Sequence, residues 1–524
     1  MAIITLEQLW EGFDRNVSVS PTIVKEQTAP FIDKRLFFNG LTTSQGVIRI
    51  YARFLSNHSA RAAPVLIVLP PIDQNIDTLD PIKLLALAKH YALLIIDYGG
   101  LHKNKTYSSI YPKDIDTYWL SSSDTALSSP KNIKNSAHYY FTTSALFAIT
   151  YLEQHHKELN IEPNKIGMLG INTGASILYK ASIDNAIKCG ATFFCGDIVG
   201  FLQDNIAYKV ALDSRAYAKK TQLPVLISAA TNEAGAGFDY LNDLYAANTN
   251  SRLSTFVLSS TAVSNGQRDN LIKWFDCVMQ NSESNIPFRP KISSSVSEGI
   301  NYIELGGEFE SIEVFLAEDR EAEYRNWKAV KHIKISETKY LARVQPSEFS
   351  QKIFANAKTK CGFNLSSEMI EIEPIKDEKP AIKRGRIVFK SGINDNGWLI
   401  KGQDFFDEDI PKAVKGPFDI DGVCAKSLVS LAVGDAASRG GAQSLLQIML
   451  HVNKPIEVEF SLTTQNGKNK EYTHKKTIFE RDWAFVTLSP QDFKCAKGVP
   501  SFDNVIAIGI KADTDVVVSS IIWV

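Results

Sequence analysis

Six apolar runs set the frame of the first 280 residues. They are "APVLIVLPP" (63–71), "YALLIIDYGG" (91–100), "KIGMLG" (165–170), "IKCGATFFCGD" (187–197), "LPVLISAATNE" (223–233) and "STFVLSS" (254–260). None shows the apolar–polar alternation of a half-solvated strand. A strand apolar on both faces must be covered on both, which is the condition of a central parallel sheet between helical layers. Helical stretches lie where such a sheet needs its crossovers. "TLDPIKLLALAKHY" follows the first run, "YYFTTSALFAITYLEQHHKEL" (139–159) precedes the third, and "NGQRDNLIKWFDCVMQ" (265–280) follows the last. "LFFNG" and "GVIRIYARFL" read as an opening antiparallel pair. This succession predicts a doubly wound α/β domain over residues 1–280.

Beyond it the pattern changes. Residues 281–299 are polar and serine-rich and read as a linker. Short strands follow over 300–378, then a polar stretch, "KDEKPAIKRG" (376–385), then more strands over 385–524. Alternation with regularly spaced turn residues predicts two β domains of the β-sandwich or jelly-roll kind. A chain of 524 residues needs several cores, so three domains fit its length.

Composition excludes some classes of function. The net charge of -1 offers no field for nucleic acid, and no apolar run reaches the roughly 20 residues that cross a bilayer. Neither a nucleic-acid partner nor membrane insertion is expected. "MAIITLEQLWEGFDRN" has no basic segment ahead of an apolar one, which predicts a cytoplasmic location. The six cysteines (Cys189, Cys195, Cys277, Cys361, Cys424 and Cys495) form no C-x-x-C pair and read as buried free thiols. "GPFDIDG" and "VGDAASRGG" carry carboxylates but no countable ligand set, so neither a metal nor a cofactor is predicted.

The chemistry centres on "KIGMLGINTGASILYKAS" (165–182), a buried strand, a glycine turn and a helix. Gly170 and Gly174 leave room for a sharp strand-to-helix bend. The order of elements, with "IGMLGINTGASIL" at the bend, "LPVLISAATNE" as acid strand and "STFVLSSTAVSNGQRDNLIKWF" beyond it, resembles the α/β hydrolases. It resembles in particular the acetyl xylan esterase, cephalosporin deacetylase and dienelactone hydrolase group. The resemblance covers about 240 residues. It implies Asn172 at the nucleophile position, Glu233 at the acid, and Ser264 or Asn265 at the histidine. It also implies a pocket walled by Pro71, Ile72, Tyr98, Asn172, Thr173 and Glu233, with the Thr173 N–H and the loop at Pro71 and Ile72 as oxyanion donors.

The departures are chemical. A carboxamide has no proton that a base can usefully remove, and its lone pair is delocalised. No histidine lies between 157 and 331. Losing nucleophile or base alone costs a triad enzyme roughly 10⁶ in rate. The expected triad positions Asn172, Glu233 and Asn265 are therefore degenerate, and no catalytic residue is expected. Thr173 points away from the apex in such a bend, and Ser176 falls inside the helix. His102 lies in the loop after "DYGG" and His138 in the segment ahead of the bend, and Asp73 and Asp97 end buried runs; surface, core or capping roles are the expectation for all four.

"EVFLAEDREAEYRNWKAVKHIKI" onward resembles an immunoglobulin-like module that follows some esterase domains, with Arg325-Asn326-Trp327 as signature and Trp327 as its core anchor. "WAFVTLSPQDFKCAKGVPSFDNVIAIGIKADTDVVVSSIIWV" resembles galactose-binding-like jelly rolls and carbohydrate-binding modules. That implies an exposed sugar-stacking patch, for which Trp398, Phe405 and Phe406 are the candidates; Trp483 and Trp523 read as core. The expectation is a pseudoenzyme that binds carbohydrate or acylated carbohydrate, or assembles with a protein partner. The alternative is an active carbohydrate esterase with a rearranged site.

Overall fold

The computed structural model describes all residues except 1–3, 59–60, 101–106, 114, 116–129, 195–204, 235–236, 261, 280–285, 346, 348, 375–384, 393–396, 403–407, 410, 466–469, 480–481 and 495–499. His102, Phe405 and Phe406 lie outside the described residues.

The first body is built on strands β1 (Thr22–Gln27), β2 (Ile32–Thr43), β3 (Gly46–Ser56), β4 (Ala63–Leu69), β5 (Ala92–Asp97), β6 (Ile161–Ile171), β7 (Ile187–Phe193), β8 (Val225–Ala230) and β9 (Arg252–Phe256). They order as β1-β2-β3-β5-β4-β6-β7-β8-β9. β3 is antiparallel to both β2 and β5, and from β5 to β9 every neighbouring pair is parallel. The principal helices are α1 (Pro81–Ala88), α2 (Ala137–Leu159), α3 (Thr173–Ala181), α4 (Gly237–Ala247) and α5 (Asn265–Met279). One face of the sheet packs its apolar side chains against α2, α3 and α4, the other against α1 and α5. Coverage of both faces is why the strands read as unbroken apolar runs. This is an α/β-hydrolase-like doubly wound sheet.

The second body is a β-sandwich of β10 (Lys291–Ser297), β11 (Ile300–Gly306), β12 (Phe309–Glu318), β13 (Lys328–Val330), β14 (His332–Ser336), β15 (Lys339–Val344), β16 (Gln351–Thr359), β17 (Asn364–Ser366) and β18 (Ile370–Ile372). One sheet runs β10-β11-β15-β14. The other centres on β12 and β16 and joins the first body's sheet where Ser366 of β17 pairs with Leu253 of β9. Ile303, Leu305, Val314, Ile353 and Ala355 fill the space between them. Residues 291–297, which composition assigns to the linker, form strand β10, in register with β11 throughout. β10 is an edge strand that buries only Ile292, so its serines stay solvated and its composition reads as loop.

The third body is a second β-sandwich. Its strands are β19 (Ile387–Lys390), β20 (Lys401–Gly402), β21 (Glu408–Asp409), β22 (Lys412–Lys415), β23 (Asp421–Ser430), β24 (Leu446–His451), β25 (Ile456–Thr464), β26 (Lys470–Ile478), β27 (Trp483–Leu488) and β28 (Val505–Trp523). β28 spans 19 residues; its first half pairs with β25 and its second half with β24, while β23 follows it along both.

The three bodies share apolar burial. The cluster on the α2–α4 face of the central sheet continues into Ala317, Trp327, Phe354 and Met369 of the second body and Leu399, Leu431 and Ala507 of the third. Trp327 lies edge-on to Phe238 of α4 and to Phe354, and belongs to this shared cluster. The expected core anchor of the small sandwich is thus a junction residue, and the sandwich's own core is aliphatic with Phe309 and Tyr340. Among the described cysteines Cys189 is buried, but Cys361 is exposed and Cys277 and Cys424 are half-buried.

Candidate functional site

The bend at Asn172 has the form expected of the sequence. β6 ends at Ile171 and α3 begins at Thr173, so a single residue turns strand into helix. Asn172 has φ 52° and ψ -117°, a conformation a side-chain-bearing residue adopts only when its surroundings enforce it. They do: the Asn172 N–H donates to the Phe193 carbonyl, and the Asn172 carbonyl accepts from the Ala175 N–H, both at 2.9 Å. A Cβ on Gly174 would overlap the Leu69 carbonyl, and one on Gly170 would stand 2.5 Å from the Gly174 carbonyl oxygen. The carboxamide of Asn172 is exposed at the apex.

Thr173 decides what the neighbouring oxyanion site can do. Its Oγ1 accepts from the Ile72 N–H at 2.8 Å and lies 2.8 Å from the Tyr98 hydroxyl, which donates to the Pro70 carbonyl at 2.7 Å. One proton assignment satisfies all four groups: Ile72 N–H to Thr173, Thr173 hydroxyl to Tyr98, Tyr98 hydroxyl to Pro70. Burial pushes the Tyr98 phenol well above its ordinary value, so it stays protonated and the chain stays intact. Pro71, Ile72, Tyr98, Asn172 and Thr173 thus gather at one place, but the Ile72 amide is already engaged. Sequence reasoning placed Thr173 and Ile72 in the pocket and missed the bond between them. The available signal was a hydroxyl directly after the apex.

The other two corners of the expected triad hold neighbouring bodies. Glu233 is buried after β8. Beside it Asn232 Nδ2 reaches the carbonyls of Ala322 (3.2 Å), Glu323 (3.3 Å) and Arg325 (2.8 Å) in the second body. After β9, Leu258 accepts from the Ile400 N–H at 2.7 Å and the Ser260 N–H donates to the Ile400 carbonyl at 3.0 Å, tying this loop to the third body. Asn265 is exposed at the start of α5, where Ser264 and Gln267 cap the helix reciprocally. Arg325, Asn326 and Trp327 complete the junction. Arg325 bridges Asp239 of α4 and Asp319, both at 2.8 Å, and Asn326 Nδ2 donates to the buried Asp435 of the third body at 2.6 Å. Lys328 pairs with the same carboxylate at 2.5 Å. Asp435, one of the carboxylates noted in "VGDAASRGG", is therefore committed to the interface.

The remaining candidates divide clearly. Ser176 Oγ accepts from Lys180 Nζ and lies 3.4 Å from Ser214 Oγ, but all three residues are fully buried, so this serine–lysine pair is closed to substrate. His138 is buried in the first turn of α2 against Tyr208. Asp97 holds its loop through the Gly100 and Ser109 N–H groups, and Asp73 is exposed. Trp398 is not an exposed stacking surface: it is 2% exposed and packs edge-on to Phe389. Among the described residues the most solvent-exposed phenylalanines of the third body are Phe418 (78% exposed), Phe479 (70%) and Phe485 (63%), with Trp483 only half-buried rather than core. No group of three metal-ligating side chains occurs among the described residues, and no described helix is long and apolar enough to cross a membrane.

No protein-family model matches the chain, and no curated protein matches it. Solved structures do. The acetyl xylan esterase from Paenibacillus sp. R4 is 12% identical with a TM-score of 0.42, covering 52% of this chain and 92% of its own. The acetyl xylan esterase 1 from Thermoanaerobacterium sp. JW/SL YS485 is 13% identical with the same score and coverage. A cold-adapted esterase from an Arctic intertidal metagenomic library is 11% identical with a TM-score of 0.36, covering 50% of this chain and 99% of its own. At such scores these likenesses carry no weight; the strand order and the bend, read from this chain, carry the fold.

Proposed function

We propose that this chain is an α/β-hydrolase-like protein without serine-esterase activity, acting by binding carbohydrate or acylated carbohydrate or by assembling with a protein partner. The observation that carries the reading is the Thr173 bridge. An oxyanion site works through donors aimed at developing charge, and here the Ile72 N–H is spent on a neighbouring hydroxyl. The apex offers a carboxamide where a nucleophile is needed, and the sequence from 157 to 331 offers no imidazole. The loops that would carry acid and base instead grip the β-sandwiches, as a scaffold would have them do.

Incubation with a fluorophosphonate followed by intact mass measurement, together with a p-nitrophenyl acetate assay, tests this. No adduct and no saturable turnover are expected, and Asn172→Ser alone remains inactive. Stoichiometric labelling of the native protein with saturable turnover would support an esterase with a rearranged site and overturn the proposal.

A further inference from the structure

Helix α5 of the first body runs alongside the hairpin that joins β16 to β17 in the second. Asn270, Lys273 and Cys277 stand three and four residues apart and so share one stripe of the helix. Asn270 Nδ2 donates to the Asn364 carbonyl at 2.6 Å, and Asn270 Oδ1 accepts from the Asn364 N–H at 2.9 Å. Lys273 Nζ donates to the Gly362 carbonyl. As the helix advances, its hairpin contacts retreat from residue 364 to 362. Cys277, the next position on the stripe, therefore comes to the turn that holds Cys361. Burial and the neighbouring Cys361 thiol hold the Cys277 thiol above its ordinary value, so the two sulfurs stand within electrostatic reach of each other.

The two thiols differ in access: Cys361 is exposed and Cys277 half-buried. The turn fixes where Cys361 stands. The Thr359 N–H donates to the Phe363 carbonyl and the Gly362 N–H to the Thr359 carbonyl, both at 2.8 Å, with Gly362 at φ 80°. Cys361 Sγ lies 3.2 Å from Thr359 Oγ1, which accepts from the Phe363 N–H at 3.0 Å. Of the other described cysteines, Cys189 is enclosed in the central sheet and Cys424 belongs to the third body.

We infer that Cys277 and Cys361 form a reversible disulfide that fastens the first body to the second. The reaction is thiol–disulfide exchange with a small disulfide. The exposed Cys361, as thiolate, attacks one sulfur of the reagent, forming a mixed disulfide and releasing one small thiolate. The Cys277 thiolate then attacks Cys361 Sγ, the bond between the two bodies forms, and the second small thiolate leaves. The protein gives up two electrons to the reagent, and its two thiol protons end on the two small thiols released. The inference is independent of the function proposed above.

The test incubates the full chain with glutathione disulfide, blocks the remaining thiols with N-ethylmaleimide, and reads intact mass and tryptic peptides. Cys361→Ser and Cys277→Ser are treated in parallel. In the native chain the Cys277 and Cys361 peptides are expected joined, with no glutathione retained on either residue, and dithiothreitol restores both thiols. Cys277→Ser stops at a mixed disulfide on Cys361, because the second thiol is gone. Cys361 is exposed in a turn, so Cys361→Ser folds normally and keeps the test sound should Cys277→Ser fail to fold; it leaves Cys277 reacting at least tenfold more slowly. Closing a loop of this length raises the melting temperature of the native chain by about 4 °C. Glutathione held stably on Cys361 of the native chain, no reaction at either residue, or a Cys361 disulfide between two copies would each overturn the proposal.

Discussion

Replacing Thr173 by valine keeps the shape of the side chain and removes its oxygen. The Ile72 N–H then loses its acceptor at 2.8 Å, and the Tyr98 hydroxyl loses a donor at the same distance while keeping Pro70. Leaving a buried donor unsatisfied costs about 1–3 kcal/mol, and a lost hydrogen bond about 1 kcal/mol more. We expect a loss of about 3 kcal/mol. Thr173→Ser keeps the oxygen and gives up one buried methyl, worth about 1 kcal/mol. With an unfolding entropy of about 2.1 cal/mol/K per residue, the 524-residue chain unfolding as one unit has about 1.1 kcal/mol/K. The valine variant then melts about 3 °C below the native protein and the serine variant about 1 °C below. Urea titration followed by tryptophan fluorescence measures the same difference directly. Equal stability of the valine and serine variants would refute the argument, because it would mean that the hydroxyl holds neither Ile72 nor Tyr98.

Two further outcomes follow from contacts elsewhere. Asn232→Ala removes the amide that meets three carbonyls of the second body; we expect a loss of about 2–3 kcal/mol and faster deuterium uptake across residues 322–327, read by hydrogen-exchange mass spectrometry. The backbone N–H and hydroxyl of Ser489 hold the Asp492 carboxyl below its ordinary value of 3.8. A folded-state value below the unfolded one stabilises above pH 3.8 and is lost as pH falls through the folded value. Asp492→Asn therefore flattens the acid limb of the stability curve by about 0.5–1 kcal/mol after solvent screening, measured by denaturant titration from neutral pH downward; an unchanged limb would contradict it.

How much of this was written in the sequence depends on the range of the interaction. The buried runs at 63–71 and 165–170 announced their strands because both faces are covered within the same domain. The bend was legible because Gly170 and Gly174 are demanded by backbone a few residues away. Trp327 was misplaced because its partner Phe238 is remote in sequence and periodicity carries no trace of it. Asn232 was passed over for Glu233, its neighbour, since nothing local distinguishes an amide that bonds a distant loop from one that faces water. Trp398 reads as a binding aromatic by composition, and only three-dimensional packing shows its ring enclosed.

The apolar cluster that runs from the central sheet into Trp327, Met369, Leu399 and Ala507 sets how the chain can be divided. A fragment ending near residue 280 would bare the side of Phe238 and its neighbours that the later strands shield, and such fragments associate with one another to hide it. The three bodies consequently melt together, and no one of them can be exchanged for a foreign counterpart without recasting the surface it leaves behind.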